Sequence, residues 1–436
     1  MRANIVSYES FNMKDDKIFI NYLLDDKYKI RHTLDISNIN NIKNRNIDSY
    51  IFFCGLGIFP YIFSKFSPHK IIIRAGYLSE IQLSYLKKWY LKGLGEFFYK
   101  NNLPHKINLV LDKQAKKKYI NSNISLENSA LLLNGGGKDS SVSCEILKKT
   151  NINFEWLLIG NSISQINVCK VSNIKKKVNI LNSYQNYFLP ENIKYDTFNG
   201  HKPFTLYTSS LACLVGGLKN FKYIIYSNEK SSNYGNLTIN NISINHQYTK
   251  SLEFEKDFSR YVINNLNVNI KYFSLLKPIY ELQIAKIFSK LPQYHRVFVS
   301  CNRKGTSKWC QKCSKCAFIY LALYPFLDRS YLNKIIGKDL FDDVNMLPIY
   351  EELTGIRKVK PFECVGTIKE NLIAMYLSCK KSEKSKGIIL NHFIKNVPQI
   401  FKYKKESNNF FKEYDERNNI PSEIENKIRK NISNLI

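Results

Sequence analysis

At 436 residues with 44% hydrophobic content, the chain has room for two or three domains and the composition of an ordinary soluble globular protein. Its 65 basic and 36 acidic residues leave a net charge of +29. The basic residues are dispersed, in short runs such as 116–118 and 175–177, and Lys, Asn and Ile rise together as AT-rich codons would produce. The charge is therefore read as a solvated surface that also suits an anionic substrate, and nucleic acid is not an expected partner.

Arg2, Glu9 and Asp15–Asp16 break any apolar core of a signal peptide, and the longest apolar run, 50–63, is too short for a bilayer and carries Pro60. A cytoplasmic protein without a membrane span is expected. Ten cysteines without an export signal do not suggest a disulfide framework.

In chain order, residues 1–128 read as an N-terminal α+β domain. Strand-like segments at 5–8, 18–23 and 28–34 are separated by Asp/Lys/Asn turns. A polar stretch, 38–46, leads to an apolar helix over 48–66, a strand over 70–74 and an amphipathic helix over 79–91 capped by Ser79. Gly93-Leu94-Gly95 reads as a helix-terminating turn. Residues 129–330 alternate between strands (130–134, 154–160, 223–227, 270–273, 296–300) and helices (139–149, 204–218, 251–266, 281–290). That pattern predicts an α/β fold with a doubly wound parallel sheet, whose ligand sits at the carboxyl ends of the strands. Residues 331–436 read as a mostly helical extension with a frayed end.

The stretch around which the rest is organised is 130–147. Leu131 to Leu133 suit a buried strand, three glycines follow, and a helix pattern starts after Lys138-Asp139-Ser140. Amides and the positive end of the helix dipole converge at such a turn, and Gly135, Gly136 and Gly137 let the backbone approach a phosphate. A Walker loop is excluded because Asp139 follows the lysine. Gly-Gly-Gly-Lys-Asp-Ser instead resembles the pyrophosphate loop, usually Ser-Gly-Gly-x-Asp-Ser, of the N-type ATP pyrophosphatases (adenine nucleotide alpha-hydrolase-like), with Gly135 in place of the serine. Those enzymes split ATP between the α and β phosphates and place AMP on a substrate oxygen. The resemblance implies that the glycines and Ser140 hold pyrophosphate, that Lys138 offsets its charge and that Asp139 lies near magnesium.

Cys301, Cys310, Cys313 and Cys316 form two overlapping Cys-x-x-Cys pairs with a fourth thiol upstream, the donor set of a closed, structural zinc site. Lys308, Lys312 and Lys315 would temper its negative charge. The same spacing occurs in the 7-cyano-7-deazaguanine synthases. Among the polar segments after strands, Glu229 is a candidate for magnesium or for a proton. His246, Tyr248 and Lys250 are candidates for substrate contact or acid–base work, and Arg303 for a phosphate or carboxylate clamp. Asn199–Pro203 and Cys301-Asn302-Arg303 are similar segments.

Together with 93–97, 272–276, 309–318 and 360–366, these segments are similar to the UDP-N-acetylmuramoyl-L-alanyl-L-glutamate epimerases, over residues 50 to 370. The resemblance implies ATP- and magnesium-dependent inversion of the terminal L-glutamate of a peptidoglycan precursor through an acyl-adenylate. It also implies a UDP-linked muramoyl dipeptide as substrate and a functional pairing with an L-glutamate-adding Mur-type ligase. The α-proton groups stay open among Glu229, His246, Tyr248, Lys250 and Cys364, since thiols can exchange α-protons. Two other readings are a carboxylate-amidating enzyme of the deazaguanine-synthase kind and an RNA-modifying ATP pyrophosphatase.

Overall fold

The computed structural model describes residues 2–436 apart from 41, 44–45, 120–124, 187–194, 197, 240, 267, 302, 304–307, 358 and 382–385. Asn302, expected beside Cys301 and Arg303, lies outside the described residues, as do three positions of the polar 38–46 stretch. The strands are β1 (Ile5–Lys14), β2 (Lys17–Leu24), β3 (Tyr28–Asp35), β4 (Lys70–Ile73), β5 (Leu109–Leu111), β6 (Glu127–Leu133), β7 (Asn153–Ile159), β8 (Lys177–Asn186), β9 (Phe221–Tyr226), β10 (Leu237–Ile239), β11 (Ile242–Ile244) and β12 (Lys271–Ser274). Ten of them form one sheet in the order β12-β9-β6-β7-β8-β3-β2-β1-β4-β5. Pairing is parallel from β12 to β8 and again through β1, β4 and β5, and antiparallel from β8 through β3 and β2 to β1. The protein is thus mixed α/β with a large, mostly parallel sheet.

Local sequence accounts for these elements. Asp15 and Asp16, at φ 49° and 54°, fill the two-residue loop of the first hairpin, a conformation that Asp tolerates better than most residues. In β6, Leu131 points into one hydrophobic core while Ala130 and Leu132 point into another, all with no exposure. Burial on both faces is why this strand reads as a continuous apolar run. One face is covered by helices Asp48–Phe66 and Phe204–Lys219, which approach so closely that a Cβ on Gly57 would meet Ser210 Oγ at 2.3 Å. Helix Asp48–Phe66 is long and apolar enough to cross a membrane by length and composition, but 89% of its apolar window is buried inside the structure. The other face carries helices Lys138–Lys148, Glu281–Ser289 and Ser314–Leu323 and the C-terminal helices.

Several expectations are revised. The sheet runs through the expected boundary at residue 128, because β3 pairs with β8 from Ile30↔Asn186 to Asp35↔Leu181. Strand β8, whose apolar alternation is confined to Val178 and Ile180, was not anticipated. Residues 296–300 are irregular rather than a strand: Val299 donates its N–H to the Gly136 carbonyl at 3.2 Å, so the segment docks on the glycine loop and leaves the sheet. The chain end is ordered, since helix Ser422–Leu435 buries Ile424, Ile428 and Ile432 at the spacing of a single helix face.

Among the parallel strands, β6, β7 and β8 step one way across the sheet, while β9 and β12 step the other way from β6. The order reverses between β6 and β9, and the crevice above their carboxyl ends is where such sheets bind ligands.

Candidate active site

The glycine loop sits at that reversal. Asn134 closes β6 and folds the turn back: its Oδ1 accepts the Gly136 N–H at 2.8 Å, while its Nδ2 donates to the Gln165 carbonyl at 2.9 Å. Gly136 has φ +70°, and a Cβ there would lie 2.4 Å from Ser164 Oγ, so only glycine fits. Helix Lys138–Lys148 follows with Gly137 at its N-cap and no side-chain cap, so its leading amides face the crevice. Beside it is a cavity of about 440 Å³ whose walls include Asp139, Ser140, Glu229, Lys250, Lys315 and Cys364. Two larger hollows, of about 790 and 980 Å³, contain no residue of the loop.

Lys138 does not serve this cavity. Its ammonium is fully buried between Asp139 and Glu281, on the inner side of the helix. Among the described residues, the cations that reach the cavity are Lys250 and Lys315. Lys315, expected to temper the cysteine cluster, instead bonds the Cys364 carbonyl and lies 3.6 Å from Glu281. Beneath them Lys277 donates to the Glu229 carbonyl (3.0 Å), Ser232 Oγ (2.8 Å) and the Lys250 carbonyl (2.6 Å), tying the segment after β9 to that after β11.

Glu229 is buried, and its Oε1 has no hydrogen-bond partner among the described residues. Burial, reinforced by Glu281 and Asp139 against Lys250 and Lys277, pushes its carboxyl up to about 7. Burial likewise raises Asp139 despite Lys138 beside it.

Hairpin β10–β11 delivers His246: Asn236, just before it, accepts the His246 N–H at 2.9 Å and donates to the Pro361 carbonyl at 2.9 Å. His246 Nδ1 bonds Glu96, whose other oxygen meets Lys100 at 2.5 Å, and the imidazole also bonds Cys364. Burial would lower His246, but the bonds to Cys364 and Glu96 outweigh it and raise it to about 9. Burial pushes the Cys364 thiol up. Lys250, with its Nζ 3.2 Å from the sulfur, the His246 bond and Lys315 overcome that and bring it down to about 6. The result is a thiolate–imidazolium pair oriented by a carboxylate. His201 packs against His246 with ring centroids 4.2 Å apart and planes tilted by 48°, and is held neutral by burial and by the charges of His246, Lys250 and Lys100. Glu96, His201 and His246 are close enough to share an ion, but those same cations oppose one.

Of the residues anticipated from sequence, the structure brings together Gly135, Gly137, Asp139, Ser140, Glu229, Lys250 and Cys364 in one cavity, with Gly136 forming its turn and His246 behind Cys364. Tyr248 is placed elsewhere. It lies two residues from Lys250 on a 3-10 turn, which points them apart: Tyr248 packs against Phe254, carries Lys92 over its ring and lines the 980 Å³ hollow. Arg303 is exposed and does not line the cavity; its backbone N–H bonds the Cys301 sulfur. Sequence reasoning missed Lys277 and Glu281, whose surroundings carry no local signature, and assigned no role to Glu96.

The cysteine cluster lies against the loop. The ligand atoms of Cys301, Cys310, Cys313 and Cys316 lie within 4.8 Å of one another, with Cys310–Cys316 at 3.7 Å and Cys313–Cys316 at 3.6 Å. Four thiolates about 2.3 Å from a tetrahedral zinc would be spaced about 3.8 Å apart, so the donor set fits that ion. Ser300, next to Cys301, would lie 3.0 Å from a Cβ on Gly137, so the cluster braces the wall of the cavity.

Comparison with known proteins shows the family. A family model described as the MurL N-terminal domain matches residues 3–275, and one described as the MurL C-terminal domain matches residues 297–408. The UDP-N-acetyl-alpha-D-muramoyl-L-alanyl-L-glutamate epimerase of Xanthomonas oryzae pv. oryzae is 33% identical over 322 residues, covering 71% of this chain and 70% of that protein. Proteins of the same name from Micromonospora sp. and Salinispora tropica are each 30% identical, covering 76% of this chain and 75% and 74% of their own lengths. With both family models matched and relatives aligned across most of its length, the chain belongs to the MurL family of epimerases.

Proposed function

We propose that this protein inverts the terminal L-glutamate of UDP-N-acetylmuramoyl-L-alanyl-L-glutamate to D-glutamate in peptidoglycan precursor synthesis. It does so in the cytoplasm, with ATP and magnesium, through an acyl-adenylate that releases AMP and pyrophosphate. A Mur-type ligase that adds L-glutamate supplies the substrate. The names of the relatives support the substrate and the inversion. The observation that carries the nucleotide chemistry is the glycine loop and uncapped helix start at the strand-order reversal, and the strand order itself supports a doubly wound, adenine nucleotide alpha-hydrolase-like core.

The logic is electrostatic. A carboxylate resists loss of its α-proton, because the enolate would carry a second negative charge. Transfer of AMP to a carboxylate oxygen removes the first charge and makes the acyl group electron-withdrawing, after which the α-proton can leave and return on the other face. Hydrolysis then frees the inverted acid. In this site the loop amides, Ser140 and the helix start hold the departing pyrophosphate, and Lys250 and Lys315 supply the cationic charge that Lys138 does not. Asp139, on the cavity wall, would hold magnesium, which when bound would neutralise phosphate charge.

Incubation with ATP, magnesium and the L-glutamyl substrate, followed by chiral analysis of the released glutamate, tests this reading. D-glutamate with stoichiometric AMP is expected. Retained L-glutamate with AMP would move the protein to the carboxylate-amidating class, and ADP formation would defeat the adenylate altogether.

A further inference from the structure

Besides Asp139 and Lys315, given above to magnesium and phosphate, four candidate proton-transfer groups stand at or behind the loop cavity, and their contacts divide the work. The His246 imidazole is engaged by Glu96 at Nδ1 and by Cys364, so it is a holder. Lys250 is pinned as a cation against the Cys364 sulfur at 3.2 Å and also faces Glu229. Two groups remain on the cavity wall, a thiolate that accepts from Lys250 and His246 and keeps lone pairs for a proton, and a carboxyl. One is Cys364, from the loop that precedes helix Ile368–Lys380. The other is Glu229, at the end of β9, whose buried Oε1 lacks a partner among the described residues.

We infer that Cys364 and Glu229 exchange the α-proton on opposite faces of the activated glutamyl carbon, and that Glu96 and His246 are positioning residues for the thiolate. The inference rests on the acyl-adenylate reading above. In one direction the sulfur forms an S–H bond as the α C–H bond breaks, and the electron pair moves into the acyl carbonyl as an enolate. The enolate carbon then takes the proton of the Glu229 carboxyl, whose O–H bond breaks. Inversion leaves the two side chains with exchanged protonation states, which solvent resets. The surroundings suit this duty. His246, Lys250 and Lys315 hold the sulfur as a thiolate at neutral pH, the form needed for a base. His201, packed against His246, is neutral, so the charge beside the thiolate comes from His246 and the two lysines.

The test uses the full-length protein with ATP, magnesium and the muramoyl dipeptide substrate in D2O, starting from the L- and the D-glutamyl epimer separately. Cys364→Ala and Glu229→Gln should each still form AMP, while inversion falls by about 10²–10⁴-fold. Each should admit deuterium to the α position of only one epimer, and the two variants should differ in which. Four results would overturn the assignment: inversion at the wild-type rate in either variant, one variant blocking deuterium entry into both epimers, loss of AMP formation in Cys364→Ala, or recovery of the glutamyl group covalently bound to Cys364. Failure of the wild-type protein to form AMP would instead refute the adenylate reading on which the inference stands. Independently of any variant, the rate of Cys364 alkylation by iodoacetamide, read on its peptide, should rise with a midpoint near pH 6. A midpoint near the ordinary thiol value of 9 would overturn the role of the thiolate.

Discussion

Gly135 and Gly136 are adjacent and chemically identical, yet the structure gives them opposite tolerances. A Cβ on Gly135 would have no described atom within 4 Å, whereas one on Gly136 would strike Ser164 and the Gln165 amide at a φ of +70°. Gly135→Ser, which restores the residue usual in pyrophosphate loops, should therefore fold and bind ATP at least as well as the parent, measured by titration calorimetry. Gly136→Ser should lose nucleotide binding, and binding by it equal to the parent's would contradict the tight turn. A second prediction concerns pH. Cys364 is lowered from 9.0 to about 6, so the thiolate contributes stability fully above pH 9 and loses it as pH falls through 6. His246 is raised from 6.5 to about 9, so its charge contributes fully below pH 6.5 and is lost as pH rises through 9. The pair coexists between these limits, within the field of Lys250, Lys315, Lys100, Glu96 and His201. Turnover that starts from the thiolate and the protonated Glu229 should rise as pH climbs through about 6 and fall as Glu229 ionises near 7. Glu96→Gln, by weakening the imidazolium, should move the acid limb upward; an unshifted limb would remove Glu96 from the positioning role. These charges were invisible in sequence. Lys138 stood inside the motif and Lys315 inside the cysteine cluster, but only the helix face of each decides where the ammonium goes.

Among the elements, the irregular 296–300 segment behaves least like its sequence. Its apolar pattern suits a strand, but Val299 is held by the Gly136 carbonyl and Cys301 by the thiol cluster, so local preference yields to tertiary contacts. A zinc ion held by the four thiols would brace Ser300, so its removal should loosen that residue and weaken ATP binding. Chelator treatment followed by nucleotide titration checks this, and unchanged affinity in a demonstrably metal-free protein would exclude the bracing role. Elements with strong periodicity were legible: the helices at 48–66 and 281–289 are defined by apolar residues, and β6 with its glycines by motif chemistry, whereas helix Ser314–Leu323, buried all round, was not assigned. Strand β8 was not legible, because its alternation is confined to Val178 and Ile180, and it exists through pairing with Trp156–Ile159 on one side and Ile30–Asp35 on the other. The last helix was expected to fray, yet Ile428 is fully buried. Ile428→Ala should cost about 2–5 kcal/mol in chemical denaturation, and a cost near zero would mean that the helix is not docked.

For the molecule as a whole, the sheet leaves no clean place to divide the N-terminal strands from the loop-bearing half. A fragment of residues 129–436 would bare β8 and the face of helix Phe204–Lys219 that meets helix Asp48–Phe66. It should aggregate or lack native circular dichroism, and a soluble, cooperatively folding fragment would show the halves to be independent. The division into three intervals is readable because composition and motif change near residues 128 and 330. Their merger into one sheet and two shared cores is not, since long-range pairing such as β3 with β8 leaves no local trace. The family models divide the chain between 275 and 297 instead.

Lys250 and Cys364 are 114 positions apart, and the sulfur becomes acidic only once they have met. In a nascent or unravelled chain the same sulfur is an ordinary, sluggish thiol near pH 7. A brief pulse of alkylating reagent during refolding would therefore stamp each molecule according to whether its distant segments had joined, making one atom a clock for assembly of the protein.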